Sequence, residues 1–257
     1  MANPQGSFVW YELMTEDMKA AENFYSGVVG WQTKDSGMPG MDYTLLSVGP
    51  AMIGGIMKVP DEARAMGAKP AWLGYIGVDD VDAMAERVKG AGGKVFRPPS
   101  DIPSVGRFAV VADPHGAAFI LFKPASAEGP PPAPEGTPGT VGWHELHAGD
   151  RESAFAFYSG LFGWTKTEAM DMGPMGIYQM FATGGPPAGG MMTKRPEMAW
   201  AAWLFYFNVD AIDAAAARVT AGGGKVSMGP HQVPGGQWIV MCEDPQRAMF
   251  ALVAPKR

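Results

Sequence analysis

The sequence predicts an α+β protein of two tandem domains, each assembled from a pair of βαβββ modules. Two observations carry this. The first is a repeat at half-chain spacing: FVWYELMTEDMKAAENFYSGVVGWQTK from Phe8 is matched by VGWHELHAGDRESAFAFYSGLFGWTKT from Val141. Trp10/Trp143, Glu12/Glu145, Leu13/Leu146, Asp17/Asp150, Phe24-Tyr25/Phe157-Tyr158 and Gly30-Trp31/Gly163-Trp164 fall in register. Further along, WLGYIGVDDVDAMAERVKGAGGKV from Trp72 is matched by WLFYFNVDAIDAAAARVTAGGGKV from Trp203, and ADPHGAAFILFKP by EDPQRAMFALVAP. Two homologous halves follow. The second observation is a fainter repeat inside each half, whose two parts both run strand, acidic cap, helix, glycine turn, strands.

Each element has its own reason. SFVWYELMT is β-branched and aromatic and reads as a strand. Asp17 then caps a helix whose apolar Met18, Ala21, Tyr25 and Val28 recur at three and four. YTLLSV and AMIGGIMKV follow as strands. In the next module WLGYIGV is the first strand, and Asp79 or Asp80 caps a helix with Val81, Met84, Ala85 and Val88 on one face. Gly92-Gly93 ends that helix, since glycine accepts the left-handed conformation common there. GRFAVVA and AAFILFK complete the module, and the same order returns from Val141. The domains are expected over 1–124 and 140–257. Between them ASAEGPPPAPEGTPG, residues 125–139, reads as an extended Pro/Gly-rich linker with no core of its own.

Composition narrows the function. Across 257 residues the formal net charge is −6 and no run of Lys or Arg occurs, so neither nucleic acid nor an anionic membrane surface is an expected partner. A small-molecule partner is expected instead. The single cysteine, Cys242, excludes an internal disulfide framework and a Cys-rich zinc site, and it fits a reducing compartment. The N-terminus lacks the pattern of a signal peptide, and no apolar run reaches the roughly 18 residues of a membrane span, so a cytoplasmic location is expected. The duplication suits a monomer acting as an internal pseudo-dimer, or a homodimer.

Four βαβββ quarters in two halves, FYSGVVGW and FYSGLFGW after the first helix of each half, and DPHG before a last strand resemble the glyoxalase/bleomycin-resistance/dioxygenase superfamily, also called vicinal oxygen chelate proteins. The resemblance covers nearly the whole chain except the linker. It implies that paired modules place curved mixed sheets around a cavity, which in many members holds a divalent metal. Family ligands, where present, are a His or Gln on a module's first strand and a Glu or His on its last. By spacing, those positions fall on Trp10, Trp143, Leu73, Leu204, Ile120 and Ala251, all without a metal-ligating group. No metal or other cofactor is therefore expected, the alternative being an irregular strand that aims Glu145 and His147 together at an ion.

The stretch GWHELHAGD deserves its own reading because it puts His144, Glu145 and His147 within four residues. On a strand Trp143, Glu145 and His147 point one way and His144 the other, so the two histidines cannot share one ordinary metal site. Strand spacing also excludes the helical His-Glu-x-x-His motif. In the first half the same place reads WYELM. Trp-x-Glu-Leu recurs and the histidines do not.

The residues expected to face the cavities are Trp10, Glu12, Met14, Leu73, Tyr75 and Ile120 in one half, and Trp143, Glu145, His147, Leu204, Tyr206 and Asn208 in the other. Mostly aromatic walls with a few polar groups are the usual make-up of a small-molecule site. Trp10, Tyr75, Trp143, His147, Tyr206 and Asn208 are the candidate ligand-binding residues. Glu12 and Glu145 are candidate catalytic residues, since a carboxylate in an aromatic strand is desolvated unless paired or protonated. Their structural alternative is a hydrogen bond to a tyrosine such as Tyr75 or Tyr206. The Gly-Gly-Met stretches near Lys58, and near Lys194 and Arg195, read either as an adaptable cavity lip or as a bulge beside core packing. His115 is expected to serve its turn, and His231 to be solvated or to rim the cavity. Three function classes remain: a metal-independent binder of a hydrophobic or aromatic compound, an enzyme on the same scaffold, and an interaction module with no ligand. The enzyme would be a metal-dependent lyase, isomerase or dioxygenase, or an acid/base catalyst using Glu12 or Glu145.

Overall fold

The computed structural model describes residues 5–126 and 133–257, so residues 127–132 of the expected linker lie outside it. The first half forms β1 (Phe8–Thr15), α1 (Met18–Val29), β2 (Gln32–Asp35), β3 (Tyr43–Val48), β4 (Ala51–Lys58), a short α2 (Asp61–Ala65), β5 (Ala71–Gly77), α3 (Val81–Gly90), β6 (Lys94–Ile102), β7 (Gly106–Ala112) and β8 (Ala118–Pro124). The second half forms β9 (Val141–Ala148), α4 (Arg151–Phe162), β10 (Thr165–Asp171), a 3-10 turn at Gly173–Met175, β11 (Ile177–Ala182), β12 (Pro187–Thr193), β13 (Ala202–Asn208), α5 (Ile212–Ala221), β14 (Lys225–Gln232), β15 (Trp238–Glu243) and β16 (Met249–Ala254). The fold is α+β with two open, eight-stranded mixed sheets. Their orders are β2-β3-β4-β1-β5-β8-β7-β6 and β10-β11-β12-β9-β13-β16-β15-β14. Within each module the first strand lies parallel to the last, as β1 to β4 and β9 to β12, because a helical crossover separates them, while the later strands are antiparallel. Among the described residues no helix is long and apolar enough to cross a membrane.

Three of the five helix starts follow the capping rule; the short α2, which starts after Pro60, and α5 do not. Asp17, Asp80 and Asp150 accept from the backbone N–H groups of Ala20, Ala83 and Ser153 at 2.9, 3.0 and 2.8 Å, so Asp80 and not Asp79 is the cap of α3. In α5 the corresponding place is Ala211, with no side-chain cap. Gly30 and Gly163 end α1 and α4 at φ +90° and +72°, where a side chain would be strained.

Two compact units emerge, and each takes one module from each half. Among the described residues the first comprises 5–10, 73–126 and 143–203, and the second 11–72, 133–142 and 204–257. In the second unit Tyr25 of α1 donates to Asp244 at 3.2 Å and accepts from the Trp72 indole at 2.9 Å. Arg218 of α5 donates twice to the Val28 carbonyl near the end of α1, at 2.8 and 3.1 Å, satisfying an acceptor the helix leaves open. The first unit repeats the device: Tyr158 reaches Asp113 at 3.5 Å, accepts from Trp203 at 3.1 Å, and Arg87 donates to the Gly160 carbonyl at 2.8 Å. The Phe-Tyr and Asp-Pro motifs are thus two ends of one structural contact. The second oxygen of each buried aspartate holds its own turn, Asp113 accepting from the backbones of His115 and Ala117 and Asp244 from those of Gln246 and Ala248. Around these contacts the core is aromatic, with Tyr158, Trp164 and Phe181 stacked at 5.0 and 4.4 Å.

The last part of the expected linker has a fixed place. Trp31 donates its indole N–H to the Gly139 carbonyl at 2.7 Å, and the Gly139 backbone N–H bonds to the Asn208 carbonyl at 2.7 Å. These contacts anchor the entry to β9 on the second unit.

A buried Trp, Tyr, Glu and His cluster as the candidate functional site

In β9, strand alternation sends His144 and its neighbours to opposite faces. His144 stacks on Phe8 at 4.2 Å with an interplanar angle of 8°, and its Nδ1 lies 2.6 Å from the Ala188 carbonyl. Burial pushes its imidazole down to about 4, so it is a neutral core residue at ordinary pH. The other face holds a polar cluster. Trp143 donates its indole N–H to the Tyr178 hydroxyl at 2.7 Å, and Tyr178 donates its proton to Glu145 Oε2 at 3.0 Å. His147 Nε2 lies 3.0 Å from Glu145 Oε1. Glu145 and His147 are 6% and 9% exposed, so the pair sits out of bulk water. On a regular strand residues i and i+2 are neighbours on one face, so no irregularity is needed to bring them together.

Two atoms of the cluster are unsatisfied. Glu145 Oε1 and His147 Nδ1 are both buried without a hydrogen-bond partner. The imidazole therefore approaches Oε1 as a close charge neighbour without aiming its N–H along the hydrogen-bond line. Burial and the Glu145 carboxylate push the Tyr178 phenol well above its ordinary value, which keeps its proton on oxygen as the donor.

The Gly-Gly pairs explain why the tyrosine can reach. Glu145 is register partner of Gly190 on the parallel β12, and a Cβ at Gly190 would occupy the space of the Tyr178 ring. A Cβ at the preceding Gly189 would meet the His144 carbonyl and the Phe181 ring. The second unit repeats the arrangement: Glu12 is register partner of Gly55, and a Cβ there would meet the Tyr43 ring and hydroxyl. Both glycine pairs are therefore clearances inside strands, needed for close approach and not for a mobile lip. A register shift does lie beside each pair: β4 and β12 keep unbroken register with β1 and β9 through the glycines, but against β3 and β11 the pairing shifts just before Gly54 and Gly189, so the bulge beside core packing that the sequence offered is present.

The tyrosine beside Glu145 is thus Tyr178 of β11, where the sequence offered Tyr75 or Tyr206. Trp10, Tyr75, Trp143, Glu145 and His147 belong to the first unit; Glu12, Tyr206 and Asn208 belong to the second. Tyr75 packs edge-on to Phe122 at 5.6 Å, and its register partner is Ile120. Asn208 is engaged structurally: its amide donates to Thr140 at 2.9 Å, and it fills the space that a Cβ at Gly142 would need. His115 meets Ser153 at 2.9 Å, Lys194 donates to the Met198 carbonyl at 2.6 Å, and His231 is exposed. Burial pushes the Cys242 thiol up to about 12, which removes it as a nucleophile. Two surface clefts, of about 290 and 360 Å³, are lined by none of the predicted site residues.

The donor set can be tested against a family-type metal. Trp10, Trp143, Leu73, Leu204, Ile120 and Ala251 supply no ligand, and among the described residues no three His, Cys, Asp or Glu side chains converge. Glu145 and His147 are two donors, short of the three protein ligands that catalytic zinc sites and two-His-one-carboxylate iron sites use. The residues present do not fit such an ion.

Tandem βαβββ modules in two open mixed sheets, with a glutamate on the first strand of each half, define a class of α+β proteins. Residues 7–121 and 140–252 match the model of the Glyoxalase/Bleomycin resistance protein/Dioxygenase superfamily, and the chain belongs to that superfamily. It is 34% identical over 253 residues to the Mycobacterium tuberculosis protein CFP32, named as a glyoxylase, covering 98% of this chain and 95% of that one. It is 32% identical over 266 residues to the anthracycline biosynthesis protein DnrV of Streptomyces peucetius, covering 96% and 93%. In fold it is similar to a Mn(II)-bound glyoxalase from Novosphingobium aromaticivorans, with a TM-score of 0.66, 16% identity and coverage of 96% and 81%. It is likewise similar to the 2,3-dioxygenase LapB from Pseudomonas sp. KL28, with a TM-score of 0.66, 11% identity and coverage of 99% and 93%.

Proposed function

We propose that this chain binds a small hydrophobic or aromatic organic molecule at the β9 face of its second half, without a resident metal ion. The observation that carries the reading is the pair of buried, unpartnered polar atoms, Glu145 Oε1 and His147 Nδ1, on a strand face that also bears Trp143. Leaving a buried polar atom unsatisfied costs roughly 1–3 kcal/mol, more when charged, and a ligand that meets it recovers that cost on binding. Aromatic walls with a few convergent polar groups suit a flat organic ligand. A relative named for anthracycline biosynthesis, a pathway of fused aromatic rings, agrees with that choice.

Native mass spectrometry with elemental analysis of the untagged protein tests the reading. Less than a tenth of an equivalent of any transition metal is expected, together with a rise in melting temperature on adding fused-ring aromatics. A stoichiometric metal would overturn the metal-independent site. A second reading, acid/base catalysis, is favoured by the 3.0 Å contact between Glu145 and His147, since a carboxylate and an imidazole side by side are the groups that such catalysis uses. It predicts that Glu145→Gln abolishes turnover while retaining ligand.

A further inference from the structure

Resting on the aromatic-ligand reading, we infer that the ligand carries a phenolic hydroxyl that donates a hydrogen bond to Glu145 Oε1. The argument is one of donor direction. An indole N–H only donates, so the Tyr178 oxygen must accept from Trp143, and its own proton is left to point at Glu145 Oε2. Those two bonds fix the polarity of the whole chain of contacts. At its end stands a carboxylate satisfied at one oxygen and open at the other. A carboxylate oxygen accepts, so whatever meets Oε1 must bring the proton.

His147 sharpens the choice. Facing a carboxylate at 3.0 Å, Nε2 holds its proton, because a lone pair there would be repelled. With the proton on Nε2, Nδ1 is the ring's acceptor, also buried and unmet. The site thus offers two unmet acceptors. Two acceptors favour a hydroxyl group, which brings a proton, over an ether or ketone, which brings none, and the acidic O–H of a phenol forms the stronger bond to a carboxylate. The first half does not share this selectivity, since Met14 stands where the second half has His147.

The test is a matched pair on one ring system: 2-naphthol and 2-methoxynaphthalene, titrated into the full-length protein by calorimetry. The methyl ether keeps the rings and the oxygen and lacks the donor. A hydrogen bond to a charged group predicts that 2-naphthol binds about tenfold to a hundredfold more tightly. In Glu145→Gln that preference is expected to collapse. Tyr178 would still donate to the amide oxygen, which turns the NH2 group, a donor, toward the ligand. If both compounds bind the native protein equally, the hydroxyl inference is wrong and the aromatic-binding reading stands. If neither binds up to millimolar concentration, both fall. A preference that persists in a folded Glu145→Gln protein would remove Glu145 as the acceptor. The comparison on the native protein decides the inference even if the variant does not fold.

Discussion

Gly190→Ala should destabilise this protein far more than a methyl group on a strand ordinarily does. Within a strand, glycine usually costs about 0.5–1 kcal/mol relative to alanine, so the naive sign is stabilising. Here the new Cβ would overlap Cε1, Cζ and the hydroxyl of Tyr178. Backbone pairing holds Gly190 in register with Glu145 on one side and Met180 on the other, so the ring must move. Overpacking of this kind costs about 1–3 kcal/mol. Displacing the ring also takes the phenol from Glu145 Oε2, a hydrogen bond to a charged group worth about 1.5–3 kcal/mol. The sum is about 3–6 kcal/mol, read as a shift of the urea midpoint at unchanged m-value. A double-mutant cycle isolates the cause: in a Tyr178→Ala background the same Gly190→Ala change should cost less than about 1 kcal/mol. A cost below about 1 kcal/mol in the native background, or an equal cost in both, would refute the clearance argument.

Three other results are expected. For His144 the folded imidazole is held down to about 4, against about 6.5 unfolded, so the unfolded chain binds the proton first. The stability His144 contributes is fully present above about pH 6.5 and is lost as pH falls toward 4, by about 3 kcal/mol. The stability difference between the native protein and His144→Phe should therefore shrink across that window, and a difference independent of pH would contradict the assignment. Tyr25→Phe should cost about 1–3 kcal/mol in urea denaturation, because the buried Asp244 oxygen loses its donor. Tyr158→Phe should cost less than Tyr25→Phe, since its contact with Asp113 is 3.5 Å against 3.2 Å, and the reverse order would show that these contacts do not set the energies.

Much of the fold was legible because it rests on local chemistry. Asp17 and Asp150 cap their helices, Gly30 and Gly163 end them, and the first-strand alternation that separates His144 from His147 follows from a period of two. What was not legible depends on partners far apart in sequence. The Phe-Tyr motif gave no sign that its hydroxyl reaches an aspartate 219 positions away in one unit and 45 in the other. Nor did the spacing show that Tyr178 would serve Glu145, because β11 enters through a register set by β12. A signal was nevertheless present: the Gly-Gly pairs recur at the same place in both halves, Gly54-Gly55 and Gly189-Gly190, and a paired glycine inside a strand marks close approach. Asn208 shows the same limit, since its amide donates to Thr140 on the entry to β9, a partner that the strand pattern does not reveal.

Duplication itself separates scaffold from function. A feature retained at equivalent places in both units serves what both units share, which is the packing of one module from each half. The acidic first-strand residue, the glycine beside it and the tyrosine ring over that glycine meet this criterion, as Glu12, Gly55 and Tyr43 in one unit and Glu145, Gly190 and Tyr178 in the other. Their first duty is therefore structural: in each unit the glycine leaves room for a tyrosine ring beside the strand carboxylate. Function is then to be sought where the copies differ. His147 against Met14 is such a place, and there a second polar group is added beside a carboxylate the scaffold already holds. In the second half the imidazole stands two residues along the same face from the carboxylate, and together they carry two unmet atoms, Glu145 Oε1 and His147 Nδ1.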